Sequence, residues 1–242
     1  MIHIPTAPWY HYIGDLAAWV TAFVGARWVY RRRPATVESL ARQTAPSYFV
    51  ALALGAALGA WLLGSANTLR DVHPALSHSI AGALAGAIVA VELWKWLHGV
   101  RQSTGGPFVI PLALGVVVGR WGCLFAGLDD QTYGIPTGLP WGVDLGDGIA
   151  RHPVQLYESL AMTGFLIVYW RALAAGRPWA QRHGFHAFVL AYAIQRFAWE
   201  FLKPYPTLIG PFNVFHIVMI GLGAYALIWI ARGRDRPALS RA

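Results

Sequence analysis

Residues 108–126 read FVIPLALGVVVGRWGCLFA. This apolar run has about twenty residues, the length that a helix needs to cross a bilayer. Arg120 stands near its end, between Gly119 and Gly122. A charge in a membrane span is costly and commonly marks a functional site. Because the two glycines leave space around the guanidinium, the stretch predicts a membrane helix that carries an anion-binding arginine.

The rest of the chain shares this apolar character. Of its 242 residues, 56% are hydrophobic and 12% are charged, and the mean hydropathy is +0.45. A soluble domain would have about a quarter charged residues. We therefore predict one all-α, polytopic membrane domain over residues 1–242. The apolar runs predict a bundle of seven transmembrane helices, at about 9–30, 48–64, 75–96, 108–126, 153–170, 184–202 and 212–230.

The formal net charge of +8 is distributed in alternate gaps between these runs. The basic residues concerned are Arg31, Arg32, Arg33, Lys95, Arg101, Arg171, Arg177, Arg182, Arg232, Arg234 and Arg236. This is the pattern of cytoplasmic loops in membrane proteins. It predicts an N-terminus outside, a C-terminus in the cytoplasm and short outer loops. The basic excess then meets anionic lipid, and no nucleic-acid partner is predicted.

Polar side chains recur near the predicted outer ends of several spans. They are His78, Arg120, His152, Gln155, Tyr157, Glu158, Tyr192, Arg196, Glu200 and Lys203. Arg196 and Glu200 are four residues apart, which places them on one face of a helix. Two arginines can hold a phosphate by bidentate contacts, so we expect this role for Arg120 and Arg196. His78 or Glu200 is then the candidate general base.

Other kinds of site lack support in the sequence. No Gly-x-Ser-x-Gly or His-Glu-x-x-His motif occurs, and the His, Asp and Glu residues have no spacing typical of metal ligands. No metal and no cofactor are therefore predicted. Cys123 is the only cysteine, and we interpret it as a small buried hydrophobic residue rather than as a nucleophile.

Three glycine pairs at four-residue spacing predict close helix contacts: Gly55/Gly59, Gly82/Gly86 and Gly115/Gly119.

Three motifs resemble those of the prolipoprotein diacylglyceryl transferases of the bacterial inner membrane. The stretch from His152 to Glu158 resembles the family's His-Pro-x-Gln-Leu-Tyr-Glu, and Gly119–Gly122 matches the opening of its Gly-Arg-x-Gly-Asn-Phe. The stretch from Arg196 to Lys203 resembles Arg-x-x-x-Glu-Phe-x-Arg. His78 takes the place of the histidine in the family's His-Gly-Gly. The resemblance covers essentially the whole chain.

The resemblance implies an enzyme of lipoprotein biosynthesis, multi-pass in the bacterial cytoplasmic membrane. Such enzymes transfer the diacylglyceryl group of phosphatidylglycerol to the lipobox cysteine thiol of a prolipoprotein signal peptide. A thioether forms and glycerol phosphate leaves, with no cofactor. By position, Arg120 and Arg196 would hold the phosphoglycerol head, His78 would be the base or orienting group, and Glu200 would position Arg196.

The chain departs from the family pattern at three places. Cys123 stands where the family has asparagine, Ser79-Ile80 replaces the glycines after the histidine, and Gly59-Ala60-Trp61 replaces Gly-Gly-Arg. Two alternatives therefore stay open. One is a paralogue that transfers a lipid group to another acceptor. The other is a non-enzymatic lipid-binding or transport bundle, in which Arg196 and Glu200 form a structural pair.

Overall fold

The computed structural model describes residues 1–69 and 76–233, and this part of the chain is mostly helical. Its helices are α1 (Tyr10–Arg32), α2 (Pro34–Gln43), α3 (Pro46–Thr68), α4 (Ile80–Leu97), α5 (Val109–Ala126), α6 (Val154–Ala174), α7 (Pro178–Arg182), α8 (Gly184–Glu200) and α9 (Val214–Arg232). Short 3-10 turns at Gly106–Phe108 and Gly127–Asp130 flank α5. The strands are β1 (Ile2–His3), β2 (Val143–Asp144) and β3 (Ala150–Arg151).

Each of the seven predicted ranges overlaps one long helix. Four helical segments of the described chain are long and apolar enough to cross a membrane: Pro46–Thr68, Ile80–Leu97, Gly106–Asp130 and Val214–Arg232. The helices α1, α6 and α8 are not among these four segments. The fold is thus that of a helical membrane protein with four candidate spans. The count of seven spans and their orientation stay predictions.

Two segments in the gaps between the predicted spans are helical. Helix α2 begins at Pro34, since proline suits the first turn of a helix, and it buries Leu40 against Tyr48 and Trp94. Helix α7 begins at Pro178 in the same way. Both were missed because they are short and lie between longer apolar runs.

The prediction of a purely α-helical chain was also incomplete. Strand β1 pairs in parallel with β2, with Ile2 opposite Val143, and β2 pairs antiparallel with β3. Asp144 closes the turn between β2 and β3 by accepting the backbone N–H groups of Gly146 and Gly148 at 2.8 and 2.9 Å. These hydrogen bonds, with one from His3, hold the pKa of the Asp144 carboxyl below its usual range. A small sheet therefore joins the N-terminus to the loop after α5.

The third long helix begins later than predicted, at Ile80. Ser79 has extended backbone angles, and its hydroxyl accepts the N–H of Gly82 at 3.3 Å, which makes it the N-cap. His78 therefore precedes the helix instead of lying in its first turns. The start predicted at residue 75, the outer loop at 70–75 and the basic tail at 234–242 fall outside the described residues.

Helices α3 and α4 approach closely through glycines. A Cβ atom added at Gly59 would lie 2.3 Å from the carbonyl oxygen of Gly82, and one added at Gly86 would lie 2.1 Å from that of Gly55. The predicted contacts of these two pairs are confirmed. The third predicted pair, Gly115/Gly119, makes only ordinary contacts, with alanines of α1 at 4.0 and 3.5 Å.

We expect Gly86→Ala to destabilise the protein by about 1–3 kcal/mol, because the added methyl group forces α3 and α4 apart. Gly164→Ala is the matched control, since a Cβ atom at Gly164 of α6 meets no atom within 4 Å. The control should be neutral or slightly stabilising, because alanine favours helix more than glycine does. Thermal unfolding in detergent measures both. Equal melting temperatures would contradict the close contact.

Helices α1 and α5 meet at another glycine pair, Gly14 and Gly122. A Cβ atom at Gly14 would lie 2.3 Å from the Cα atom of Gly122. The role predicted for Gly122, to leave space around Arg120, stays a prediction. The residue also lets the first turns of α1 lie against the last turn of α5, next to Cys123.

Candidate functional site

Five charged side chains are buried together between α5, α6, α8 and the loop after α8. They are Arg120, Glu158, Arg196, Glu200 and Lys203, and none is more than 5% exposed. All five are among the predicted site residues. We call this group the buried charge network. Charges are almost never buried without partners, so the pairing within the network decides what it can do.

Glu158 of α6 is the centre of the network. Its Oε2 lies 2.5 Å from Nε of Arg120, and its Oε1 lies 2.8 Å from Nζ of Lys203. Arg196 donates a further hydrogen bond from Nη1 to Oε1. One carboxylate thus contacts three cations from three different segments. Removing it would leave all three with much weaker compensation.

Glu200 provides the second carboxylate. Its Oε1 lies 2.6 Å from Nη2 of Arg196, so the ion pair at four-residue spacing that the sequence predicted is present. Nδ2 of Asn213 donates to Oε2 at 2.9 Å. The same asparagine is the N-cap of α9 and forms a capping box with His216. The start of α9 is therefore tied to the network.

Asn213 and His216 were not predicted, although both are buried. The available signal was an Asn-x-x-His pattern directly before the last apolar run, which is a helix-start pattern. The sequence shows the cap in this way. It does not show that the cap also binds Glu200, because that contact joins two helices.

The network has one more positive charge than it has negative charges, since three cations surround two carboxylates. Nearby polar atoms are buried and have no hydrogen-bond partner within the described residues. They include the side-chain amide of Gln155, the hydroxyl of Tyr192 and Nε2 of His216. A buried polar atom without a partner is costly. An oxygen-rich anion would balance the charge and accept hydrogen bonds from the N–H and O–H groups among these atoms, including Nε2 of Gln155.

The structure places His152 and Tyr157 apart from the network. Nδ1 of His152 lies 3.4 Å from the hydroxyl of Tyr157, which accepts a hydrogen bond from Nε1 of Trp141 at 2.9 Å. Within the described residues, neither side chain has a hydrogen bond or ion pair with the five charged groups. They form a separate polar cluster near the start of α6, and their predicted contact with substrate stays a prediction.

His78 is not brought to the network either. It lies before α4 with an exposed side chain, and the described part of the chain shows no hydrogen bond or ion pair between it and the network. Its predicted role as base stays a prediction.

Cys123 is buried, as expected, and its Sγ accepts a hydrogen bond from Nη1 of Arg120 at 3.8 Å.

An apolar cavity of about 180 Å³ lies between α3, α4, α5, α8 and α9. Its walls include Leu84, Val116 and Phe188, and Tyr192 lines it as well. Because Tyr192 lies one helical turn from Arg196, the cavity begins beside the network. Its polar part includes Glu92, which accepts a hydrogen bond from Tyr225 at 2.8 Å. A charged site thus adjoins a space suited to hydrocarbon.

The family model described as prolipoprotein diacylglyceryl transferase matches this sequence over residues 4–231. The chain belongs to this family. Among the similar proteins are three named phosphatidylglycerol–prolipoprotein diacylglyceryl transferase. The one from Thermosynechococcus vestitus is 31% identical over 62% of this chain and 59% of its own length. The one from Gloeobacter violaceus is 30% identical over 65% of this chain and 62% of its own length. The one from Coxiella burnetii is 33% identical over 65% of this chain and 63% of its own length.

The chain thus spans about three fifths of the length of the curated relatives it matches. No solved structure matches it. The three motifs that resemble the prolipoprotein diacylglyceryl transferase family each contribute to the buried charge network. The motif at Gly119–Gly122 contains Arg120, and the motif at His152–Glu158 contains Glu158. The motif at Arg196–Lys203 contains Arg196, Glu200 and Lys203.

Proposed function

We propose that this protein transfers the diacylglyceryl group of phosphatidylglycerol to the lipobox cysteine thiol of a prolipoprotein. The sulfur attacks the carbon of the diacylglyceryl group that is bonded to the phosphate oxygen. A C–S bond forms, the C–O bond breaks, and glycerol phosphate leaves with the electron pair. The observation that carries this proposal is the positively charged network beside an apolar cavity. A phospholipid needs both environments, one for its phosphate and one for its acyl chains.

Arg120 and Arg196 hold the phosphate in this proposal. Both are buried, so their attraction to a second anion is little weakened by water. Glu200 positions Arg196 through the 2.6 Å ion pair, and Glu158 holds both arginines and Lys203 around one point. A group that becomes more negative as the C–O bond breaks gains most from such fixed charges.

The uncharged groups of the site take the remaining contacts with the lipid. Gln155 and the hydroxyl of Tyr192 supply hydrogen bonds to the glycerol and ester oxygens, since both are buried and have no other partner in the described residues. His152 and Tyr157 contribute from their separate cluster at the start of α6. His78 keeps the proposed role of base or orienting group for the thiol.

The membrane arrangement belongs to the same proposal. Seven spans form a single domain in a bacterial cytoplasmic membrane, with the N-terminus outside. The alternation of basic residues supports this orientation. The buried charge network lies where α5 and α8 end and α6 and α9 begin. In this orientation that end faces the outer leaflet, where the signal peptide of a secreted protein emerges.

The test uses the purified protein in nanodiscs that contain phosphatidylglycerol, with a lipobox peptide as acceptor. We expect a thioether-linked peptide by mass spectrometry and an equal amount of glycerol phosphate. A peptide with serine in place of cysteine, and nanodiscs of phosphatidylcholine alone, should give no product. Lack of product with several anionic lipids would contradict the proposal. Failure to rescue cells depleted of their own transferase would favour the paralogue, and full rescue would count against it.

A further inference from the structure

A second group of polar side chains lies beside Arg120 and takes no part in the buried charge network. Nδ1 of His11 in α1 lies 2.7 Å from Oδ1 of Asp130. Ligand atoms of His11, Cys123 and Asp130 all lie within 4.8 Å of one another. We propose that these three residues bind one zinc ion, whose open fourth position takes the acceptor thiol. The role of the thiol rests on the function proposed above, whereas the metal site itself does not.

The donor set suits zinc. A thiolate, an imidazole and a carboxylate are the ligands that Zn²⁺ takes in proteins, and three protein ligands with one open position are typical of catalytic zinc. The thiolate and the carboxylate together neutralise the dication. This neutrality allows Cys123 and the Asp130 carboxylate, whose side chain is 3% exposed, to be buried in ionised form.

Neighbouring residues orient the three ligands. Oδ2 of Asp15 lies 3.4 Å from Nε2 of His11, which leaves Nδ1 of the same ring to the metal. An outer carboxylate on the second ring nitrogen is typical of metal-binding histidines. The hydroxyl of Thr132 donates to Oδ2 of Asp130, which leaves Oδ1 directed at His11.

The packing of α1 on α5 sets the distance between the ligands. Gly14 lies one turn after His11, and it contacts Gly122, which directly precedes Cys123. The third ligand, Asp130, ends the 3-10 turn that follows α5. No metal site was predicted from the sequence because His11 lies far along the chain from Cys123 and Asp130. Only the helix contact brings them together.

The position of the site suits thiol transfer. Sγ of Cys123 lies 3.8 Å from Nη1 of Arg120, so the metal adjoins the proposed phosphate position. Glu158 balances the charge of Arg120. The electrostatic repulsion between Arg120 and the zinc ion is therefore weaker. A thiol that coordinates zinc loses its proton, here to solvent. The resulting thiolate forms the C–S bond as the C–O bond to phosphate breaks.

Cobalt is the probe for the metal site. The full chain in nanodiscs is stripped with a chelator and titrated with Co²⁺, and Zn²⁺ is measured separately by elemental analysis. We expect about one metal per chain and the intense near-ultraviolet band of a cobalt–thiolate bond. Cys123→Ser should remove this band, and Asp15→Asn should weaken metal binding about 10–100-fold. The exposed neighbour Asp129 gives the matched control, since Asp129→Asn should change nothing.

The outcomes separate the two parts of the proposal. Lack of a cobalt band, or a band that survives Cys123→Ser, would overturn the metal site. A lipobox peptide should intensify the band by adding a second thiolate, and a serine peptide should not. Metal binding without this response would overturn the thiol role. A peptide response without thioether formation from phosphatidylglycerol would leave the metal site standing and contradict the proposed function.

Discussion

Glu158→Gln is expected to abolish diacylglyceryl transfer and to destabilise the protein by about 3–5 kcal/mol, the usual cost of removing one partner from a buried ion pair. The change keeps the shape of the side chain but removes its charge. Arg120, Arg196 and Lys203 then face one another with Glu200 as their remaining carboxylate. Thermal unfolding in detergent measures the stability, and the thioether assay measures the activity.

Glu38→Gln is the matched control for this change. Glu38 lies 4.0 Å from Arg42 on α2, and both side chains are more than half exposed. Exposed pairs of this kind contribute less than about 1 kcal/mol. We therefore expect the control to keep its melting temperature and its activity. Equal melting temperatures for Glu158→Gln and the unmutated protein would show that the network does not need its central carboxylate.

Arg120→Ala is expected to lower kcat/KM about 10²–10³-fold, the usual cost of losing one fixed donor to a developing negative charge. The fold should persist, because Glu158 keeps Arg196 and Lys203 as partners. Arg120→Lys should recover only part of the activity, since lysine keeps the charge but cannot bind phosphate through two parallel hydrogen bonds. Transfer rates at several phosphatidylglycerol concentrations give kcat and KM separately.

Arg171→Ala serves as the control for Arg120→Ala. Arg171 is exposed, and it lies in the last turn of α6, away from the start of that helix where Glu158 lies. The control should transfer lipid at the normal rate. If Arg120→Ala also keeps the normal rate while it folds normally, the phosphate is not held at Arg120, and the proposed arrangement of the site is wrong.

Much of the helical structure is predictable because apolar runs of this length have few other stable forms in a bilayer. The predicted helix boundaries are wrong where one or two polar residues or a proline set the start of a helix. Ser79 delays the start of α4, and Pro34 begins a helix in a segment that resembles a loop. The pair of Arg196 and Glu200 was predictable because helix geometry alone sets a four-residue spacing.

The contacts between helices were not predictable in the same way. The five network residues come from three helices and one loop, and a helix that turns or slides by one residue moves its side chains to other neighbours. For this reason the position of Glu158 between three cations could not be predicted from the sequence, and its contact with substrate stays a prediction. For the same reason, the exposed position of His78 could not be read from its motif.

The sequence by itself determined a helical membrane protein, its family and the residue types at the site, because hydropathy and short motifs depend on local spacing. The tertiary structure decided which of those residues touch. It paired Glu158 with Arg120, Arg196 and Lys203, and close contact at Gly14 and Gly122 brought His11 to Cys123. The physical reason is that the distance between residues far apart in the chain depends on how closely the helices pack. Small residues at the contacts allow the helices to pack closely.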